Sequence, residues 1–268
     1  MIDLIGYFCA ILIGLSLGLI GGGGSILTVP VLVYLFGFDP ILSTAYSLFI
    51  VGVSALIGGI NYAKQGLVDY KTGVIFIIPA FISVYLTRLF LIPMLPDVLF
   101  NIGAFSVTKN LGILLLFALL MIVASISMIR KKSDGKAEAE TSEKQSFNYP
   151  LIILEGAVVG VLTGMVGAGG GFLIIPALVI LAKLPMKVAV GTSLLIIAVK
   201  SLFGFVGDLQ SGVAVDWTFL SIFSGLAILG IFVGMYFAKQ VDGAKLKKGF
   251  GYFVLVMGVF MVIKELFL

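Results

Sequence analysis

Two glycine-rich segments hold the residues with the clearest chemical potential in this chain. Gly18-Leu19-Ile20-Gly21-Gly22-Gly23-Gly24-Ser25, followed by Pro30, recurs 146 positions later as Gly164-Met165-Val166-Gly167-Ala168-Gly169-Gly170-Gly171, followed by Pro176. Each copy interrupts one apolar run and opens another. A helix starting at Ser25 or Gly171 has first-turn amides without intrahelical partners, and its dipole adds partial positive charge there. Glycine lets a ligand approach that backbone without side-chain obstruction. Two such helix starts brought together make an anion site. Gly23, Gly24, Ser25, Gly169, Gly170 and Gly171 are therefore the candidate contacts. Gly21, Gly167, Pro30 and Pro176 are read as motif residues that shape the turns and short arms. Tight packing of small-residue helices is the competing explanation for a single cluster; duplication of the cluster favours a substrate site.

Lys200 is the most unusual charge, embedded in LLIIAVKSLFGFVG. An ionisable group within an apolar run is costly in a membrane and marks a functional position. It can pair with an anion beside the helix starts, or snorkel or bond to backbone carbonyls instead. Ser54 occupies the matching position in the first half, so any lysine role is asymmetric. Ser47, Thr192 and Ser193 offer hydroxyl donors suited to oxyanions, although hydrogen bonds between packed helices explain them equally well. The apolar runs show no clear central Asp or Glu, and Asp208 reads as the first residue of a turn. With no histidine and a single cysteine, Cys9, the chain offers no histidine-based metal site and no intrachain disulfide. No catalytic residue, metal or cofactor is expected. The glycine spacing lacks both the strand–helix context of a dinucleotide fold and the Gly-Lys-Ser/Thr of a phosphate-binding loop.

These residues need helices that cross a bilayer. The chain is 60% hydrophobic and 11% charged, far from the roughly 25% charge of soluble domains. Its basic balance falls mainly in connecting segments, where the positive-inside rule accounts for it without nucleic acid. No cleavable signal peptide is expected, because the N-terminus lacks a basic leader. The polar stretch RKKSDGKAEAETSEKQSFN divides the chain into a first membrane repeat at 1–129, a linker at 130–149 and a second repeat at 150–268. In each repeat a broken unit (4–20 with 25–36, and 150–166 with 171–182) precedes three spans. Those spans are expected at 41–63, 71–92 and 108–129, then at 187–208, 216–238 and 247–267. The second arm of each unit is too short to cross about 30 Å of hydrocarbon, which predicts a re-entrant hairpin. Asp69-Tyr70 and Asp216-Trp217 are expected to cap helices at the interface.

Lys and Arg in the linker place it in the cytoplasm. Counting spans outward from it puts Lys64, Lys71, Lys183 and Lys187 inside and the lysine-free turn 208–216 outside. Arg88 and Lys109 fit least well, since they flank an external turn. Each repeat crosses an odd number of times, so the two are inverted. The expected fold is an all-α polytopic membrane protein with two inverted repeats, each a glycine-broken hairpin plus three transmembrane helices. Small-residue helix faces also permit a homodimer.

The doubled G-x-x-G-x-G-G…P segments, followed by Ala45-Tyr46-Ser47-Leu48 and Gly191-Thr192-Ser193-Leu194, resemble the TauE/SafE family of sulfite exporter-like membrane permeases. The resemblance covers nearly the whole chain. It implies export of sulfite, organosulfonates or related small anions across the cell membrane. It also implies motif roles for Gly21, Gly23, Gly24, Gly167, Gly169, Gly170, Pro30 and Pro176. The expected mechanism is alternating access around an anion held by both hairpins. A passive anion channel and an importer of a related anion are the alternatives. A membrane enzyme is disfavoured by the absence of histidine and of a central acid pair.

Overall fold

A computed structural model of the chain describes residues 2–22, 24–102, 105–129, 149–180, 182–238 and 243–267. It is helical almost throughout. The first half contains α1 (Ile2–Ile20), α2 (Ser25–Tyr34), α3 (Pro40–Lys64), α4 (Tyr70–Leu86) and α6 (Lys109–Ile129). The second contains α7 (Tyr149–Val166), α8 (Gly171–Ile180), α9 (Met186–Gln210), α10 (Trp217–Ala238) and α11 (Gly243–Phe267). Five described helices are long and apolar enough to cross a membrane: those at 40–64, 70–94, 109–126, 186–210 and 217–238. The protein is thus an all-α polytopic membrane protein. The linker expected at 130–149 falls almost entirely outside the described residues, with α7 already under way at Tyr149.

Two features depart from the expected spans. α4 does not end in a simple turn. It widens into a π-helical segment at Thr87–Leu91 and finishes as the short α5 (Ile92–Met94). Before α6, two antiparallel strands, β1 (Val98–Ile102) and β2 (Phe105–Thr108), form a small hairpin. Neither has a period that stands out against its apolar surroundings.

Helix starts follow local chemistry. Asp39 accepts from the Ile41 amide at 2.8 Å, with Pro40 at the first helical position of α3. The Asp69 carboxylate accepts from the Thr72 amide at 2.8 Å and that of Asp216 from the Phe219 amide at 3.0 Å, as expected for both. Each cap satisfies an amide left open by the helix start, worth about 1 kcal/mol.

Contacts between the halves recur with the halves exchanged. α1 packs on α10 and α7 on α4, while α3 crosses α9 and α6 lies along α11. Gly14 approaches the Ala227 backbone, and its counterpart Gly160 approaches that of Ala80. Gly58 faces Ile231 and Leu194, as Gly204 faces Val84 and Leu48. The Asp69 amide donates to Thr192 Oγ1 at 2.9 Å, and the Asp216 amide donates to Tyr46 Oη at 2.7 Å. α3 and α9 form the enclosed centre, and most of their inward residues are fully buried. The remaining helices carry the exposed apolar faces that a bilayer covers.

Candidate functional site

α1 and α2 form a hairpin whose open ends meet. The Tyr7 ring packs edge-on against Phe36 at 5.5 Å, and both touch Phe219 and Phe223 of α10. Its turn contains Gly21, at φ +76°, and the corresponding turn after α7 contains Gly167, at φ +69°. A Cβ is strained at both backbone angles. Gly21 lies against Val190 of α9, and Gly167 lies against the matched residue of α3, Thr44.

The two turns overlap side by side instead of meeting tip to tip. A methyl group added at Gly22 would collide with the Gly171 Cα, and one added at Gly171 would collide with the Gly22 Cα. A Cβ on Gly169 would stand 3.1 Å from Ser25 Cβ, between Val51 of α3 and Ile197 of α9. The starts of α2 and α8 lie beside the two central helices: Gly169 faces Val51 of α3 and Ile197 of α9, and Gly171 also faces Ile197.

This junction is closed. Gly21, Gly22, Gly24, Ser25 and residues 166–172 are all buried. Gly24 sits on α1, against Ile13, Ser16 and Leu17. Gly23 lies outside the described residues. Pro30 and Pro176 stand inside α2 and α8, away from the turns.

One face of each central helix, polar in part, runs along the junction. On α3 it comprises Thr44, Ser47, Val51 and Ser54; on α9, Val190, Ser193, Ile197 and Lys200. These spacings put the four residues of each stripe on one helix face. Ser193 Oγ donates to the Val190 carbonyl at 2.8 Å and lies 3.5 Å from the Gly21 carbonyl. Ser47 Oγ and Ser54 Oγ are buried with no hydrogen-bond partner. Lys200 is completely buried, and its Nζ donates to Thr163 Oγ1 of α7 at 2.6 Å. That ammonium is 3.1 Å from where a Cβ on Gly170 would sit. Lys200 therefore points at the second glycine turn and does not snorkel.

Two candidates have other employment. The Ser25 hydroxyl donates to the Gly22 carbonyl at 2.8 Å, so it caps no amide and its proton is already committed. Thr192 Oγ1 accepts the Asp69 amide, fastening the start of α4 to α9.

A buried ion pair escapes the sequence reading. Arg88 is fully buried inside α4's π-helical segment instead of flanking a turn, and Asp208 is buried inside α9 instead of opening one. Arg88 Nη1 lies 3.4 Å from Asp208 Oδ1 and donates to Thr44 Oγ1 at 2.9 Å. Arg88 stood out only as a cation that the charge pattern did not accommodate.

Comparison with known proteins agrees with this architecture. The family model described as "Sulfite exporter TauE/SafE" matches residues 7–261. A "Probable membrane transporter protein" from Xylella fastidiosa (strain 9a5c) is 32% identical over 259 residues, covering 94% of this chain and 91% of the relative. "Probable membrane transporter protein YunE" from Bacillus subtilis (strain 168) is 31% identical over 242 residues, covering 84% and 82%. YdhB of the same organism, likewise named a probable membrane transporter protein, is 26% identical over 240 residues, covering 88% and 90%. No solved structure matches the chain.

Proposed function

The chain belongs to the sulfite exporter TauE/SafE family of membrane transporters, and from that premise we propose that it is a secondary permease for small oxyanions, with sulfite or an organosulfonate as the leading substrate. The observation that carries this reading is the overlap of the two glycine turns beside Lys200. Two helix starts and a buried ammonium converge there, and backbone amides, helix dipoles and a cation all favour negative charge.

The halves act as inverted repeats, and the exchanged contacts support that arrangement. α1–α2 and α7–α8 are re-entrant hairpins entering from opposite faces of the cell membrane, with 130–149 in the cytoplasm. The closed junction is an occluded state. Rocking of one half against the other parts Gly22 from Gly171 and admits an anion from one side at a time. Ser47, Ser54 and Ser193 line its route with hydroxyls. The membrane potential drives export: about 2.3 kcal/mol per charge per 100 mV corresponds to roughly 40-fold outward concentration of a monovalent anion.

The test is flux in proteoliposomes for sulfite, sulfate, thiosulfate, sulfoacetate, taurine and a carboxylate, each with and without an imposed potential. Saturable, potential-dependent movement of one or more anions is expected. Transport of cations or of zwitterionic taurine without any anion refutes the reading. Unitary currents in place of saturable turnover would identify a channel.

A further inference from the structure

We propose that Arg88 is a second anion-binding residue, one step along the permeation route from Lys200, and that Asp208 is the internal counter-ion which a passing oxyanion displaces. The inference rests on the anion-permease reading and adds a residue and a direction to it.

Position comes first. Gly167 lies directly against Thr44, and Thr44 Oγ1 accepts from Arg88 Nη1. Gly170 of the same turn faces Lys200 Nζ. Two buried cations therefore flank one glycine turn. Lys200 stands where α3 crosses α9, and Arg88 stands near the start of α3 and the Gln210 end of α9. The first hairpin has no such flanks. Matched positions there carry Ser54 for Lys200 and, by the alignment that pairs Asp69 with Asp216, Met235 for Arg88. Asp208 corresponds to Tyr62. Positive charge lines the route on one side of the junction only.

The state of the pair is the second observation. Arg88 Nε, Arg88 Nη2 and Asp208 Oδ2 are all buried without a hydrogen-bond partner. The contact that does form, 3.4 Å, is longer than the roughly 2.7–2.9 Å of a tight charge-assisted bond. A pair serving only as a brace would use the two-pronged geometry that arginine and carboxylate allow. Here two guanidinium nitrogens stay vacant in a setting where each open polar group is costly. An oxyanion supplies the acceptors those donors lack. The surrounding backbone suits such a site: the arginine occupies a π-helical segment, a form concentrated at functional sites. Gly207 removes the side chain that would crowd Arg88 Cβ, which lies 3.0 Å from the Cβ position there.

The mechanism follows from charge. With the route empty, Asp208 neutralises Arg88. An anion leaving Lys200 bonds the vacant Nε and Nη2, competes with Asp208 and is expelled as the carboxylate returns.

The experiment compares wild type, Arg88→Gln, Asp208→Asn and the double variant. Its readouts are the sulfite concentration dependence of flux in proteoliposomes and the rise in melting temperature that sulfite produces in detergent. Arg88→Gln should raise the half-saturating sulfite concentration at least about tenfold, the size of one lost charge-assisted hydrogen bond. Asp208→Asn should lower it and enlarge the thermal shift, because the competitor is gone. The double variant should bind as poorly as Arg88→Gln. Equal losses in both single variants with recovery in the double variant would mark the pair as a brace and overturn the proposal. So would an unchanged half-saturation in Arg88→Gln. If Arg88→Gln does not fold, Asp208→Asn decides alone: unchanged or weaker sulfite binding sinks the idea. A wild-type protein that moves no anion refutes the permease reading itself, a distinct outcome.

Discussion

Lys200 and Thr192 are both polar and buried on α9, yet the structure gives them different work. Lys200 projects to the second glycine turn and bonds to Thr163. Thr192 holds the Asp69 amide at the start of α4. Lys200→Ala should therefore raise the half-saturating sulfite concentration about tenfold, on the scale of one charge-assisted hydrogen bond, while the protein still folds. Thr192→Val should do the reverse. It should cost about 1 kcal/mol in stability and leave half-saturation unchanged, which melting curves paired with flux measurements will show. Glycines and an isolated lysine stand out in a one-dimensional reading because they violate the apolar pattern around them. A threonine's partner does not, since Asp69 and Thr192 lie far apart in sequence and only the fold joins them. Arg88 and Asp208 were obscured for the same reason. Each lies near the end of an apolar run, where a charge is ordinary, and their burial depends on two helices 120 residues apart.

Helices were the most legible level. The apolar runs, the acidic caps and the short arms after each glycine cluster marked nearly every boundary. The wide π-helical turn after α4 and the β1–β2 hairpin were not legible, because neither changes hydrophobic period. Contacts between the helices also explain many glycines outside the turns. Gly14 and Gly18 let α1 touch the backbone of α10, Gly160 does the same for α7 on α4, and Gly164 makes room for the Thr87 side chain. Gly14→Leu and Gly160→Leu should each destabilise the folded protein by about 1–3 kcal/mol through overpacking. Because the two contacts are counterparts, similar losses in melting temperature are expected. A large loss in one and none in the other would break the correspondence between the halves.

At the scale of the whole molecule, the proposed inversion sets the two hairpins on opposite faces of the bilayer. The turn at 65–69 then lies in the cytoplasm, and the turn at 211–216 lies outside. Cys9 is the single native cysteine, so a Cys9→Ala background carries no other thiol. In that background Gln65→Cys should be shielded from a membrane-impermeant thiol reagent in intact cells, whereas Ser211→Cys should be labelled. Labelling of both turns from one face would contradict the inversion. Between the proposed hairpins Gly22 lies against Gly171, where no side chain fits between the turns.

That junction can be probed directly by measuring potential-driven sulfite flux in proteoliposomes that contain either wild type or Gly22→Ala protein of matched folded content. The added methyl collides with Gly171 in the closed state, so saturable sulfite accumulation on the positive side is expected for wild type and little or none for the variant. Sulfite flux that is equal in the two proteins would show that the anion does not pass between the glycine turns.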